Sequence, residues 1–372
     1  MLKNEIVIQA ILSKNADGIL IKHHSNILYL TGYSGGDSYL FISKDGELSL
    51  YADGRYFERA RKEANRNVNF VNIKEIYKDI VADIGNRLNR GKKCRILFES
   101  SYFTYEEYLG FKKAFKNSRL LPARNVLLKL RSVKTPEEVA KIKKAVSIAE
   151  SSFADALKKF REHNDGHNDG MDETNLANLY KINLLNRSAF ESFETIILAG
   201  ERSAMPHGIP SGKKAGNKGI LLCDFGAQLD FYKSDETVTL FFGKPEEKFR
   251  DIYNTVYTAQ QIAISAVKPG IRFKKLDKLA RDYIEKKGYG KYFTHSLGHG
   301  VGLDIHEYPY VSYKNDEPVL EGMVFTIEPG IYIPGYAGVR LEDMCIVKNA
   351  GCELLTNIKK DDLNYKWLLK RK

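Results

Sequence analysis

Residues 295–307 read HSLGHGVGLDIHE, and this stretch sets three histidines among glycines. His295 and His299 have the spacing of a helical metal pair. The glycines at 298, 300 and 302 work against a helix, because each costs about 1 kcal/mol there relative to alanine. No stable helix is therefore expected here, and one histidine can serve a metal while the others face a ligand. The segment also lacks HExxH, since His306-Glu307 is followed by Tyr308-Pro309-Tyr310. Its Gly298-x-Gly300-x-Gly302 spacing does not match a dinucleotide-binding GxGxxG.

Working outward, acids recur beside apolar runs. MVFTIE ends in Glu328 before Pro329-Gly330, and Glu342 sits inside VRLEDMCIV. Upstream, DFGAQLDFYKSD begins with Asp224 and ends with Asp235. GILLCDFGA is continuously apolar before Asp224, the pattern of a strand buried on both faces. Acids set in such sequence are costly unless a cation meets them. One imidazole and four carboxylates over four segments thus form a candidate cage for divalent metal ions. The spacing from Asp224 to Asp235 is odd, so a turn or bulge between antiparallel strands has to bring the two together.

The rest of the chain reads as scaffold. Its 372 residues predict two domains. Residues 1–125 alternate short helices and strands, with SYLFIS and ELSLYAD forming a hairpin around Asp45-Gly46. The boundary falls within 121–133, giving domains 1–125 and 126–372. Thr135-Pro136-Glu137-Glu138 then starts a long helix with a capping box. Val139, Ile142, Val146, Ala149, Phe153 and Phe160 line one face of that helix. It ends before HNDGHNDG (163–170), which reads as a polar loop rather than a metal site. Strand 196–198 leads into a loop carrying His207 between prolines. Helices over 246–267 and 273–287 follow.

Composition narrows the classes. Net charge is +11, but the lysines are scattered and no basic arm or aromatic–basic interleave is present, so no nucleic-acid partner is expected. No run approaches the roughly 18 apolar residues of a membrane span, and the N-terminus makes a poor signal peptide. The four cysteines form no CxxC pair, which fits a reducing, cytoplasmic setting.

Taken in order and spacing, DFGAQLDFYKSDET, HSLGHGVGLDIHE, EGMVFTIEPGIYIPG and GVRLEDMCIV resemble the metal-binding motifs of the creatinase/aminopeptidase P/prolidase family of metallopeptidases. NILYLTGYSGGDSYLFISKDGELSLYADGRYF (26–57) is similar to the N-terminal domain of its aminopeptidase P and prolidase branch. The resemblance implies a two-domain α/β chain, a creatinase-type α/β domain followed by an α+β "pita-bread" catalytic domain. It implies two divalent metal ions, Mn²⁺ first and Co²⁺ or Zn²⁺ next. Asp235 would chelate one, His299 and Glu328 would hold the other, and Asp224 and Glu342 would bridge them. Glu328 would also act as general base on the attacking water. His207 and His306 would stabilise the tetrahedral intermediate and move a proton, His295 would line the pocket, and Arg340 would orient carboxylates. Val238, three residues after Asp235, stands where the family often has an arginine.

The activity implied is hydrolysis of the bond between an N-terminal residue and proline, on peptides with proline second. The aminopeptidase P type is preferred, prolidase is the alternative, and a homodimer is the family expectation. A non-catalytic pita-bread binding protein is the reading from another class, and the complete ligand set counts against it. A creatinase-like amidinohydrolase ranks lower still.

Overall fold

The computed structural model describes residues 3–88, 93–116, 118–124, 126–166, 171–215, 219–361 and 363. The chain divides into two units, Met1–Arg131 and Ser132–Lys372.

In the first unit the described residues form a six-stranded mixed sheet. Its order is Val68–Asn72, Leu48–Ala52, Tyr39–Ser43, Gly18–Ile21, Arg95–Glu99, Arg119–Ala123. The hairpin Tyr39–Ser43/Leu48–Ala52 turns through Gly46, whose φ of 90° suits glycine. Strand alternation splits the apolar residues between the two faces. Ile19, Ile21, Leu40 and Ile42 pack with Val7 and Ile11 on one side. Leu20, Phe41 and Ile96 pack with Ile80, Ile84 and Phe111 on the other. The result is a three-layer α/β unit. Apolar residues 27–30 belong to a helix, His24–Thr31.

The second unit is α+β. Thr135 and Glu138 exchange side-chain-to-backbone hydrogen bonds, the capping box that starts helix Pro136–Gly166. That helix runs past the expected end and takes in His163; residues 167–170 of the polar stretch lie outside the described residues. Its Phe153 stacks on Phe225 at 4.2 Å, and Phe160, Tyr180, Val238 and Leu240 extend the core. Three sheets supply the site. Ile196–Ala199, Gly219–Phe225 and Glu236–Phe242 form an antiparallel trio. Glu307–Val311, Gly298–Gly300, Val324–Ile327, Asp343–Lys348 and Gly351–Leu354 form a five-stranded sheet. Gly330–Ile333 and Ala337–Arg340 form a hairpin. Helices Glu247–Ala266 and Phe273–Lys286 complete the unit. Among the described residues no helix is long and apolar enough to cross a membrane.

Candidate metal centre

Register brings the acids together. Asp224 pairs with Thr237 across strands Gly219–Phe225 and Glu236–Phe242. Odd-numbered residues of the second strand therefore share a face with Asp224. Asp235, just ahead of that strand, falls on that face. The odd spacing that looked like an obstacle is what this antiparallel register requires. The intervening chain folds back as a small hairpin, with Asp230 and Phe231 at φ of 47° and 69°. The same alternation turns Val238 away from Asp235 and into the core.

Strand Val324–Ile327 pairs with Asp343–Lys348, with Ile327 opposite Asp343. Carrying that register one residue further sets Glu328 beside Glu342. The Glu342 N–H donates to the Thr237 carbonyl, which joins this sheet to the first. His299 enters from Gly298–Gly300, its own N–H donating to Thr326 Oγ1. The glycines beside it are there for close approach. A Cβ at Gly298 would lie 2.0 Å from the Thr326 carbonyl oxygen, and one at Gly300 would lie 2.5 Å from that of Tyr308.

Ligand atoms of Asp235, His299 and Glu342 all lie within 4.8 Å of one another. His299 Nε2 stands 3.2 Å from Glu328 Oε1 and 3.6 Å from Asp235 Oδ2. Asp224 is held by Arg340, whose Nη2 donates to Oδ2 at 2.6 Å. The Arg340 guanidinium also donates to Thr237 Oγ1, the Tyr332 hydroxyl and the Pro206 carbonyl. Thr237 in turn donates to Glu342 Oε2 at 2.7 Å, and Thr326 donates to Glu328 Oε1 at 3.0 Å.

The charges in this cluster are unbalanced. Burial, then the neighbouring Asp224 charge, pushes Asp235 well above the usual carboxylate range. Burial, then Asp235 and Glu328, does the same to Glu342. Asp224 is raised by burial against the pull of Arg340. Burial opposes a charge on His299, yet its hydrogen bond to Glu328 prevails and lifts it to about 9. Glu328 falls to about 2, its own burial cost outweighed by His299. Two buried oxygens of the cluster, Asp224 Oδ1 and Glu342 Oε1, have no hydrogen-bond partner among the described residues. Buried carboxylate oxygens left unmatched in this way call for a cation. Four carboxylates and one imidazole therefore fit divalent metal, and an oxygen-rich set with one nitrogen suits a borderline or hard ion.

These groups form one wall of a pocket of about 570 Å³. His207, His295, His306, Glu328 and Arg340 line it, together with all four other proposed ligands. His306 lies against His299, ring centroids 4.2 Å apart. Burial, then proximity to His299, lowers it to about 4. His295 Nε2 is 3.0 Å from the Tyr332 hydroxyl, and burial lowers its pKa too. His207 is exposed to the pocket on its proline-flanked loop. Sequence reasoning missed Thr237, Thr326 and Tyr332. The two threonines carried a signal, each standing two residues from a proposed ligand and so on the same face of its strand. Phe193, Ile209 and Tyr310, also on the wall, carried none.

This is the architecture of a two-domain metallohydrolase. The profile of metallopeptidase family M24 matches residues 140–349, and that of the creatinase/prolidase N-terminal domain matches residues 5–133. The chain belongs to metallopeptidase family M24, in the group that carries this N-terminal domain. It is 36% identical over 347 residues to an Xaa-Pro dipeptidase of Pyrococcus furiosus, covering 93% of this chain and 94% of that one. A solved Xaa-Pro dipeptidase of Bacillus anthracis superposes with a TM-score of 0.88 at 35% identity, over 96% of this chain and 98% of that one. A solved X-Pro aminopeptidase of Thermotoga maritima gives 0.82 at 32% identity, over 93% and 97%.

Proposed function

We propose that this protein is a dinuclear-metal Xaa-Pro peptidase of the aminopeptidase type, cleaving between an N-terminal residue and proline. The observation that carries the reading is the convergence of Asp224, Asp235, His299, Glu328 and Glu342 on one pocket, with two buried carboxylate oxygens lacking partners among the described residues. Asp235 would hold one ion and His299 and Glu328 the other, with Asp224 and Glu342 available to both. Mn²⁺ is the first candidate, then Co²⁺ or Zn²⁺. Bound metal supplies a water of lowered pKa and a polarised scissile carbonyl.

The chain's own groups do the rest. Glu328, fixed by the Thr326 hydroxyl, takes the proton of the attacking water. His207 and His306 face the pocket and stabilise the oxyanion, His306 entering the reaction as neutral imidazole at pH 7. Arg340 fixes the Asp224 carboxylate and, through Tyr332, the His295 ring. The free cysteines support a reducing, cytoplasmic setting.

Substrate length turns on charge. A dipeptide brings its free carboxylate next to the proline, and a pocket that encloses that group needs a cation for it. Among the described lining residues Arg340 is the single arginine or lysine, and its guanidinium is committed to Asp224, Thr237, Tyr332 and Pro206. This supports peptides that continue beyond proline. The dipeptidase names of several relatives support the second reading, prolidase. The test is hydrolysis of Xaa-Pro beside Xaa-Pro-Xaa by metal-stripped protein, with and without Mn²⁺. We expect Mn²⁺-dependent cleavage of the tripeptide. Cleavage of the dipeptide alone would establish prolidase, and cleavage of neither with any metal would leave a binding protein.

A further inference from the structure

Glu173 is fully buried at the start of helix Glu173–Leu185 and is not among the residues that line the pocket. Its carboxylate is saturated with donors. Oε1 accepts from the Ala199 N–H at 2.7 Å, and Oε2 accepts from the Ser211 N–H at 2.9 Å and the Ser211 hydroxyl at 2.8 Å. Arg202 Nε lies 3.0 Å from both oxygens, and its Nη2 donates to the Ile209 carbonyl. The helix end closes the same stitch, Glu173 N–H donating to Lys213 and Thr174 N–H to Ser211.

The chain between these anchors is the loop that carries Pro206, His207, Gly208 and Ile209 along the pocket. One carboxylate thus gathers both ends of the loop and, through Arg202, its middle. The far side is tied to the hairpin, Gly338 N–H donating to Ser203 Oγ and Arg340 to the Pro206 carbonyl. An acceptor-only group suits such a spot, because every partner is a donor. An amide of the same shape would turn an NH₂ against donors on one side.

We propose that Glu173 is a positioning residue of the reaction, holding the His207 imidazole in place through the loop 199–211. The inference rests on the reading of this pocket as an Xaa-Pro peptidase site with His207 at the substrate. The test is a double-mutant cycle with Glu173→Gln and His207→Ala on the Mn²⁺-loaded protein. We expect Glu173→Gln to lower kcat about 10- to 100-fold, the scale on which a small misplacement of a reacting group slows a reaction, with Mn²⁺ uptake unchanged. The double variant should be no slower than His207→Ala alone. Losses that multiply, an unchanged kcat, or impaired Mn²⁺ uptake would overturn the proposal. Arg202→Met enters the same cycle and stands in if Glu173→Gln does not fold. The ring NMR signal of His207, assigned by its disappearance in His207→Ala, needs no turnover. It should shift and broaden in Glu173→Gln, and an unchanged signal would overturn the proposal even in a protein that cleaves no Xaa-Pro peptide. Absence of cleavage by the parent protein would count against the proposed activity alone.

Discussion

His299 Nε2 and Glu328 Oε1 stand 3.2 Å apart, and the pH behaviour of this pair once metal is stripped follows from their shifts. His299 is raised from 6.5 to about 9, with burial opposing its charge and Glu328 favouring it. That contribution is full below the unfolded value and is lost as pH rises through about 9. Glu328 is lowered from 4.5 to about 2, so its contribution is present above 4.5 and lost as pH falls through about 2. Asp235 and Glu342, both raised, bind more protons folded than unfolded and also weaken the fold as pH rises. The stabilising contribution of His299 therefore drains from the metal-stripped protein between pH 6.5 and 9. We expect its melting temperature to fall between pH 6.5 and 9, and Mn²⁺ to remove much of the slope. Metal must displace the His299 proton, so titration calorimetry at pH 7.5 in buffers of different ionisation enthalpy should report proton release. A buffer-independent heat would mean that the imidazole is not a ligand.

At the scale of elements, the strands that carry the proposed ligands are held from behind. Lys360 is buried, and its Nζ lies 2.8 Å from Glu236 Oε1 and 2.7 Å from Asp343 Oδ1. Those acids follow Asp235 and Glu342 in sequence, so strand alternation puts them on the opposite faces. Lys360 thus clamps the two strands that present the proposed ligands. Lys360→Met would leave two buried carboxylates uncompensated, a loss of about 3–5 kcal/mol. In calorimetry that is a fall on the order of 10 °C for a unit of this size, and Lys360→Arg should lose less. The clamp was not legible in the sequence, nor was the Glu173 stitch, because their partners stand tens to more than a hundred residues apart. Such pairings depend on tertiary placement that local pattern does not encode. What the pattern did carry was local: the Thr135–Glu138 cap, the Asp45-Gly46 hairpin, and acids at the ends of apolar strands. The Asp224–Asp235 spacing shows the limit, since its parity has meaning only once the antiparallel register is known.

For the whole molecule, the two units have separate cores. The first unit's sheet is covered on both faces by its own helices. The second unit's core is built around Phe153, Phe225 and Tyr180. Every proposed metal ligand falls in Ser132–Lys372 and none in Met1–Arg131. A ligand that binds one folded unit stabilises that unit by mass action, about 2.7 kcal/mol at a hundred times its Kd. Two cores also make a single two-state transition the less natural expectation. Scanning calorimetry should therefore resolve two transitions, with Mn²⁺ raising one by on the order of 5–10 °C and leaving the other in place. A chelator should reverse the shift. Loss of Asp224 or Glu342 should abolish it without moving the unshifted transition. A single transition that moves as a whole with Mn²⁺ would mean that the cores unfold as one cooperative body, and the metal would then stabilise the creatinase-type unit as well as its own.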